Sequence, residues 1–311
     1  MRVLVTCPPM LGLYHEFEDK FAEVGLTGVA AQVTQVMTEE ELIEVLPDYD
    51  GWIIGDDPAT RRVFEAGKAG KLKAAVKWGV GIDNVDFDAC KDLDIPIINT
   101  PGVFGREVAD VALSYVLGLS RETFMIDREI RQNNGWPKPC GISLWNKKAA
   151  VVGFGDIGRE TVKRLLAFDL EVSVYDPYFK PVEGIDVKNN AWPDNIGEAD
   201  FIIFTCPLTP DTHHMFNEDL LPRLKPGVRI VNVSRGPVIK ESALLDALKS
   251  GLVYSAALDV FEVEPLGPNN ELRQFERCIF GSHNGSNSVD AVRVVSHMAI
   301  DRIAGFLKTD S

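Results

Sequence analysis

The chain has 311 residues, 45% of them hydrophobic and 25% charged, and a formal net charge of −14 at pH 7. That length exceeds the size at which one hydrophobic core usually stops growing, so two domains are expected; no apolar run approaches the roughly 18 residues of a spanning helix, which argues against a membrane protein. The negative charge, with no local basic stripe to offset it, argues against nucleic acid and anionic lipid as partners, and an anionic ligand would need its own cations or aimed backbone N–H groups. The five cysteines, Cys7, Cys90, Cys140, Cys206 and Cys278, are scattered and form no CxxC pair, so neither a disulfide framework nor a zinc site is expected. The start, MRVLVTCPPM, does not read as a signal peptide, and the expected compartment is the cytoplasm.

Short β-branched runs alternate with helical patterns almost from end to end, the pattern of parallel sheets covered on both faces. Residues 3–6 read as a strand, 16–24 as a helix, 29–33 as a strand, 39–46 as a helix and 52–55 as a strand. A helix over 61–69, a strand over 74–78, a helix from Asp86 and a strand over 96–99 complete the first α/β series. Residues 107–131 read as one long helix, apolar on nearly every face between 108 and 119, which suits a domain junction or a subunit contact. Asn134, Gly135 and Trp136-Pro137 break it.

A second series runs from Lys148 to about Phe280, with strands expected at 149–153, 171–175, 201–205, 229–233 and 254–258. Residues 289–307 place Val292, Val295, Ala299, Ile303 and Phe306 on one helical face. Because the second series is complete by then, this helix is expected to return to the first domain. The expected fold class is α/β: two Rossmann-like or flavodoxin-like, doubly wound parallel-sheet domains with a cleft between them. One domain is discontinuous, residues 1–99 plus 285–311; the other is residues 100–284.

The strand at 149–152 runs into Gly153-Phe154-Gly155-Asp156-Ile157-Gly158, and a helix pattern over 159–167 comes at once. This is GxGxxG between a strand and a helix: the first glycine permits the tight turn, the second lets backbone approach a pyrophosphate, and the third lets helix and strand pack closely. The helix N-terminus then faces the phosphates. Eighteen residues past Gly158 stands Asp176, where a carboxylate can accept hydrogen bonds from the adenosine ribose. It would repel a 2′-phosphate, and only Lys180 lies just beyond it as a cation, so NAD is preferred over NADP.

Farther on come Val231-Asn232-Val233-Ser234-Arg235-Gly236, then Leu258-Asp259-Val260-Phe261-Glu262-Val263-Glu264-Pro265, then Gly281-Ser282-His283-Asn284-Gly285-Ser286. With the glycine motif, with residues 77–86 (KWGVGIDNVD) and with 99–105 (NTPGVFG), the chain resembles the D-isomer-specific 2-hydroxyacid dehydrogenases, and among them the short D-3-phosphoglycerate dehydrogenase-like members. The resemblance covers nearly the whole chain. It implies NAD as cofactor and hydride transfer between the nicotinamide and a small anionic 2-hydroxy or 2-keto acid.

The resemblance also implies roles. Arg235 would bind the substrate carboxylate and polarise the carbonyl, a task suited to its fixed fork of donors. His283 would be the acid/base and Glu264 the partner that fixes its tautomer. Asp259 would orient the nicotinamide carboxamide, with Cys206, Pro207, Thr212, Val233 and Ser234 also around the cofactor. Backbone N–H groups at Val80 and Gly81 would hold the carboxylate from the other side, and Lys77 and Trp78 are candidates for shaping the side-chain pocket, although a solvated lysine and a packed tryptophan are equally open. His213 and His214 read as surface or cofactor-cleft residues, since neighbours in sequence cannot usually both face one metal ion.

There are departures. Ser282 and Asn284 flank His283 where many relatives have proline and a small apolar residue, and no glutamine precedes the histidine as in formate-using relatives. The family's phosphate-binding arginine near the third strand is not evident, since Asp56-Asp57-Pro58 occupies that region and Arg61-Arg62 come only at the following helix; a phosphoglycerate-like or other doubly anionic substrate stays open. The helix after Gly105 resembles the family's dimer element, so a homodimer is expected. Two alternatives stay open: an NAD(H)-sensing protein of the same fold, like the C-terminal-binding corepressors, and a dehydrogenase of phosphite or a phosphonate-bearing acid. Replacing Asp176 by alanine together with a nearby basic substitution is expected to raise kcat/KM with NADPH relative to NADH; an unchanged ratio removes Asp176 from the ribose.

Overall fold

A computed structural model describes residues 1–33 and 35–309 of the chain. Residues 34, 310 and 311 of the expected first domain lie outside the described residues. The chain divides into two compact units, residues 1–104 with 287–311, and residues 105–286.

The first unit holds strands β1 (Arg2–Val5), β2 (Thr27–Ala30), β3 (Gly51–Ile54), β4 (Ala74–Lys77) and β5 (Ile97–Asn99), all parallel in the order β2-β1-β3-β4-β5. Helices α1 (Pro8–Gly12), α2 (Glu18–Glu23), α3 (Glu39–Val45), α4 (Arg61–Ala69) and α5 (Phe87–Asp92) connect them. Three of these helices are started by their own side chains: Thr38 forms a capping box with Glu41, Thr60 accepts from the Val63 N–H, and Asp86 accepts from the Ala89 N–H. Because strand side chains alternate, Leu4, Trp52, Ile54 and Ala75 enter one core with Leu42, Phe64 and Cys90. The opposite face is covered by α10 (Val289–Thr309), which packs on β3, β4, α1 and α2. Its Ile303 and Leu307 press on the Cα of Gly51, where a Cβ would stand 3.1 Å from the Ile303 side chain.

The second unit begins with α6 (Gly105–Arg121) and α7 (Thr123–Asn133). The single helix expected over 107–131 is therefore two. The break is Glu122, left-handed at φ 55°, whose side chain is drawn into the unit by the Tyr254 hydroxyl, with Arg277 3.6 Å away. Tertiary bonding to one carboxylate overrides the helical pattern. The sheet of this unit has β6 (Lys148–Val152), β7 (Glu171–Tyr175), β8 (Lys188–Asn189), β9 (Phe201–Phe204), β10 (Val228–Asn232), β11 (Val253–Leu258) and β12 (Ile279–Phe280). All seven are parallel, in the order β12-β11-β10-β9-β6-β7-β8. Helix α8 (Asp156–Ala167) packs on α6, which also lies against β10 and β11, and α9 (Glu241–Lys249) packs on β11. The apolar breadth of α6 is thus used inside this unit, by Val108, Ala109, Ala112, Val116 and Leu119.

Two doubly wound parallel sheets are what the alternating pattern implied. The short β8 and β12, with two residues each, and α1, opened by Pro8-Pro9, carry no periodicity to read. Ile303→Ala should lower the stability of the first unit by about 2–5 kcal/mol, the usual cost of emptying a buried isoleucine site, read as an earlier urea transition; a change under about 0.5 kcal/mol would mean that α10 does not seal this face.

Candidate active site

The second sheet reverses its strand order between β6 and β9, the place where open α/β sheets bind ligands at their carboxyl ends. The glycine turn leaves β6 there. Gly153 has φ +95°, and a Cβ on it would stand 2.8 Å from the Cys206 backbone; a Cβ on Gly158 would stand 2.1 Å from the Gly153 carbonyl oxygen. Gly155 has nothing within 4 Å of the corresponding point. The outer two glycines are forced by the protein's own packing, and the middle one keeps open space before the N-terminus of α8. That is the fit a dinucleotide pyrophosphate requires, and it is read from this chain's own geometry.

Asp176 ends the adjacent β7. Its Oδ2 accepts from the Phe154 N–H at 2.6 Å and its Oδ1 from the Tyr178 N–H at 2.7 Å, so the carboxylate is locked against the glycine turn. Asp156 opens α8, and its carboxyl group lies against Gly105 at the start of α6, where the positive helix end favours a negative charge. Ile157, next in α8, is half-buried. Thr205, not singled out from the sequence, braces the turn: its hydroxyl donates to the carbonyls of Val152 and Gly153, each at 3.0 Å. Cys206 is next in the chain, with its thiol pushed up to about 12 by burial, which keeps it a neutral packing group. The Thr212 hydroxyl donates to the Pro207 carbonyl at 2.7 Å and fixes the 207–212 loop.

The other candidates leave the carboxyl ends of β10, β11 and β12. After β10, the Asn232 amide oxygen accepts from both the Ser234 N–H (3.0 Å) and its hydroxyl (2.8 Å), while the amide nitrogen donates to the Arg235 carbonyl (2.9 Å). That bracket, also unread in the sequence, shapes the Val233-Ser234-Arg235 turn. Val233 and Ser234 are buried, and Arg235 is half-buried with its Nη1 donating to the Ser234 carbonyl at 3.0 Å. Gly236 lies so close to Phe261 that a Cβ would stand 1.8 Å from its carbonyl oxygen.

The segment after β11 therefore passes directly over the Arg235 turn. In it Glu264 accepts from the Phe261 N–H through Oε1 at 2.9 Å, and its Oε2 lies 2.8 Å from Nδ1 of His283, beyond β12. An ionised carboxylate only accepts, so Nδ1 carries the proton of this bond. His283 and Glu264 are 21% and 24% exposed: shielded enough for a strong interaction, open enough for a small molecule. Asp259 is buried with its carboxylate turned inward to Tyr115 and Gly285. His214 pairs with Glu262 at 2.6 Å and stacks on His213; among the described residues no cluster of His, Cys, Asp or Glu could hold a metal.

In the first unit, Val80 is exposed and the 79–81 loop is pinned by the Asn99 amide on the Val80 carbonyl (3.0 Å) and by the Gly79 N–H on the Thr100 hydroxyl (2.7 Å). Gly81 stays half-buried beside it. Lys77 and Trp78 lie in the interior. Lys77 is 2% exposed and its ammonium binds the Gly55 carbonyl and, at 3.0 Å, Asp56; the solvated reading of this lysine is corrected. Trp78 packs on Phe104 and donates to the Ser296 hydroxyl of α10 at 3.1 Å. Both side chains are spent inside the unit rather than lining a pocket.

The reversed sheet, the glycine turn and the locked acid define a dinucleotide-binding α/β oxidoreductase. Residues 113–285 match the NAD-binding domain of the D-isomer specific 2-hydroxyacid dehydrogenases. The chain is similar to hydroxypyruvate reductase of Thermotoga maritima, 34% identical over 274 residues that span 86% of this chain and 88% of that protein. It is 33% identical over 315 residues to D-3-phosphoglycerate dehydrogenase of Methanocaldococcus jannaschii, spanning 99% of this chain but 58% of that longer protein. Among solved structures, apo D-lactate dehydrogenase of Escherichia coli superposes with a TM-score of 0.85 at 25% identity, over 99% of this chain and 98% of that one. The TT0316 protein of Thermus thermophilus superposes at 0.87 with 27% identity, over 99% of this chain and 97% of that one. The chain belongs to the D-isomer specific 2-hydroxyacid dehydrogenase family. It is an NAD-dependent oxidoreductase of D-2-hydroxy acids.

Two glycine variants separate packing from cofactor binding. Gly155→Ala should fold with a Tm near the parent's and weaken NADH binding at least about tenfold, about 1.4 kcal/mol; Gly158→Ala should fail to fold or lose several degrees of Tm. Undiminished NADH affinity in Gly155→Ala, by fluorescence titration, would move the pyrophosphate elsewhere.

Proposed function

We propose that the substrate is a small D-2-hydroxy acid and its 2-keto partner, handled by Arg235, Glu264 and His283. The observation that carries this reading is the 2.8 Å contact between His283 Nδ1 and Glu264 Oε2, on a segment that crosses the turn bearing Arg235. NADH, when bound, supplies the hydride. Arg235 binds the substrate carboxylate and polarises the carbonyl through its paired donors. Glu264 holds the imidazole by Nδ1, and Nε2 gives a proton to the developing alkoxide oxygen; in oxidation the same nitrogen takes the hydroxyl proton.

The first unit serves as the substrate domain, where backbone N–H groups of Val80 and Gly81 bind carboxylate, and the second as the NAD domain. Asp156, Ile157, Asp176, Cys206, Pro207, Thr212, Val233 and Ser234 surround the cofactor in this reading. The relatives' names run from hydroxypyruvate and glyoxylate reductases to phosphoglycerate dehydrogenases, and we place the substrate in the small 2-keto acid class they share. The working protein is a homodimer in the cytoplasm, with no nucleic-acid or membrane partner; among the described residues no helix is long and apolar enough to cross a membrane.

NADH oxidation across a panel of 2-keto acids tests the assignment. His283→Ala and Arg235→Ala should each lower kcat/KM by a factor on the order of 10²–10⁴, while the NADH Kd stays within about threefold of the parent's. A near-parental rate in either variant removes that residue from the chemistry.

A further inference from the structure

His283 stands in a backbone conformation that side-chain-bearing residues rarely adopt, φ 55°, and such a conformation persists only where surrounding bonds over-determine it. The bonds converge on Asp259, the first residue after β11. Its carbonyl accepts from the His283 N–H at 2.7 Å, its Oδ2 accepts from the Gly285 N–H at 2.8 Å, and its own N–H donates to the Asn232 carbonyl at 2.9 Å. Gly281 lies against the same group: a Cβ there would stand 2.0 Å from Oδ1. Both ends of the 281–285 loop and its centre are thus referred to one residue.

That carboxylate is 3% exposed, and a buried charge is tolerated only when its lone pairs are filled. The donor that fills Oδ1 comes from a different element. Tyr115, on the inner face of α6 and 7% exposed, donates its hydroxyl to Oδ1 at 3.1 Å. Burial and the Asp259 charge both push the Tyr115 phenol well above its usual range, so it stays a donor. A buried phenol must find a partner, and this one meets the loop carrying the histidine.

We propose that Tyr115 is a positioning residue for His283, acting through Asp259. The hydroxyl fixes the rotation of the Asp259 carboxylate; the carboxylate fixes Gly281 and Gly285; and the loop between them holds the imidazole against Glu264. The Asp259 carboxylate thereby serves the loop. This inference rests on the reading of His283 as the acid/base, and the test separates the two.

The variant is Tyr115→Phe, which keeps the ring in the core. The measurements are kcat for a 2-keto acid, the NADH Kd, and the low-field proton resonance of the His283 ring N–H bonded to Glu264, identified by its loss in His283→Gln. The expected result is a fall in kcat of about tenfold, an NADH Kd within twofold of the parent's, and a broadened or shifted resonance. Parental kcat with an unmoved resonance overturns the proposal, and an equal loss of NADH affinity overturns it in favour of a cofactor role for Asp259. Should Tyr115→Phe not fold, Asp259→Asn keeps the side-chain size and weakens the same bonds to Tyr115 and Gly285: the same split is expected, and a parental kcat there overturns the proposal. The resonance reports the clamp whether or not His283 is the acid/base, whereas a near-parental rate in His283→Ala defeats only the functional reading.

Discussion

The lateral hydrogen bonding of β10, β11 and β12 is the constraint on which the site depends. Asn232 is in register with Leu258, and Leu258 with Phe280. Parallel strands finish at the same edge, so the segments that leave neighbouring strands emerge side by side. The ladder runs one step past the strands: Val233 donates to Phe204, Asp259 to Asn232 and Gly281 to Leu258. A guanidinium, a carboxylate and an imidazole far apart in the chain are therefore delivered to one edge by backbone bonding, before any side chain interacts.

Aligned strand ends bring segments near each other but do not shape them. The shaping is done by buried polar side chains that replace missing backbone partners. Asn232 folds the Arg235 turn on itself, Thr205 ties the glycine turn to β6, and Asp259 gathers the histidine loop. Close backbone approach completes the arrangement. Gly236 against Phe261 and Gly281 against Asp259 leave no room for a side chain, so these glycines are required by contact rather than by dihedral angle. The groups proposed to do chemistry are the most open members of the assembly, and the groups that hold them are almost wholly enclosed.

The strands and the cofactor turn were legible because each is local. β7 is read to the residue and most other strands to within one or two, since β-branched runs bounded by turn residues mark a buried parallel strand. The glycine motif is legible for the same reason: its spacing is the geometry. What escaped is set by partners distant in the chain. Glu122 looks like another helical residue until Tyr254 and Arg277 are present to draw it inward. Lys77 looks like a solvated cation until Gly55 and Asp56 enclose it. Tyr115 reads as one more apolar position on α6, and nothing within its helix signals that its hydroxyl meets a carboxylate beyond β11. Charged and aromatic residues whose meaning lies in a single long-range hydrogen bond leave no periodic trace.

The order in which the elements leave the ribosome gives α10 a further consequence. The second unit is contiguous, whereas the first is sealed by a helix that comes after the second in the chain. During synthesis the outer face of β3 and β4 is without its cover until α10 has emerged, whereas residues 105–286 form one contiguous stretch of chain. The nascent N-terminal third thus spends most of translation with an uncovered apolar sheet face, a hazard for association with other unfinished chains. Residues 87–92 and 61–69 can protect only the other side. Docking of α10 is the event that ends this exposure, which makes a helix with no assigned chemistry the gatekeeper of productive assembly.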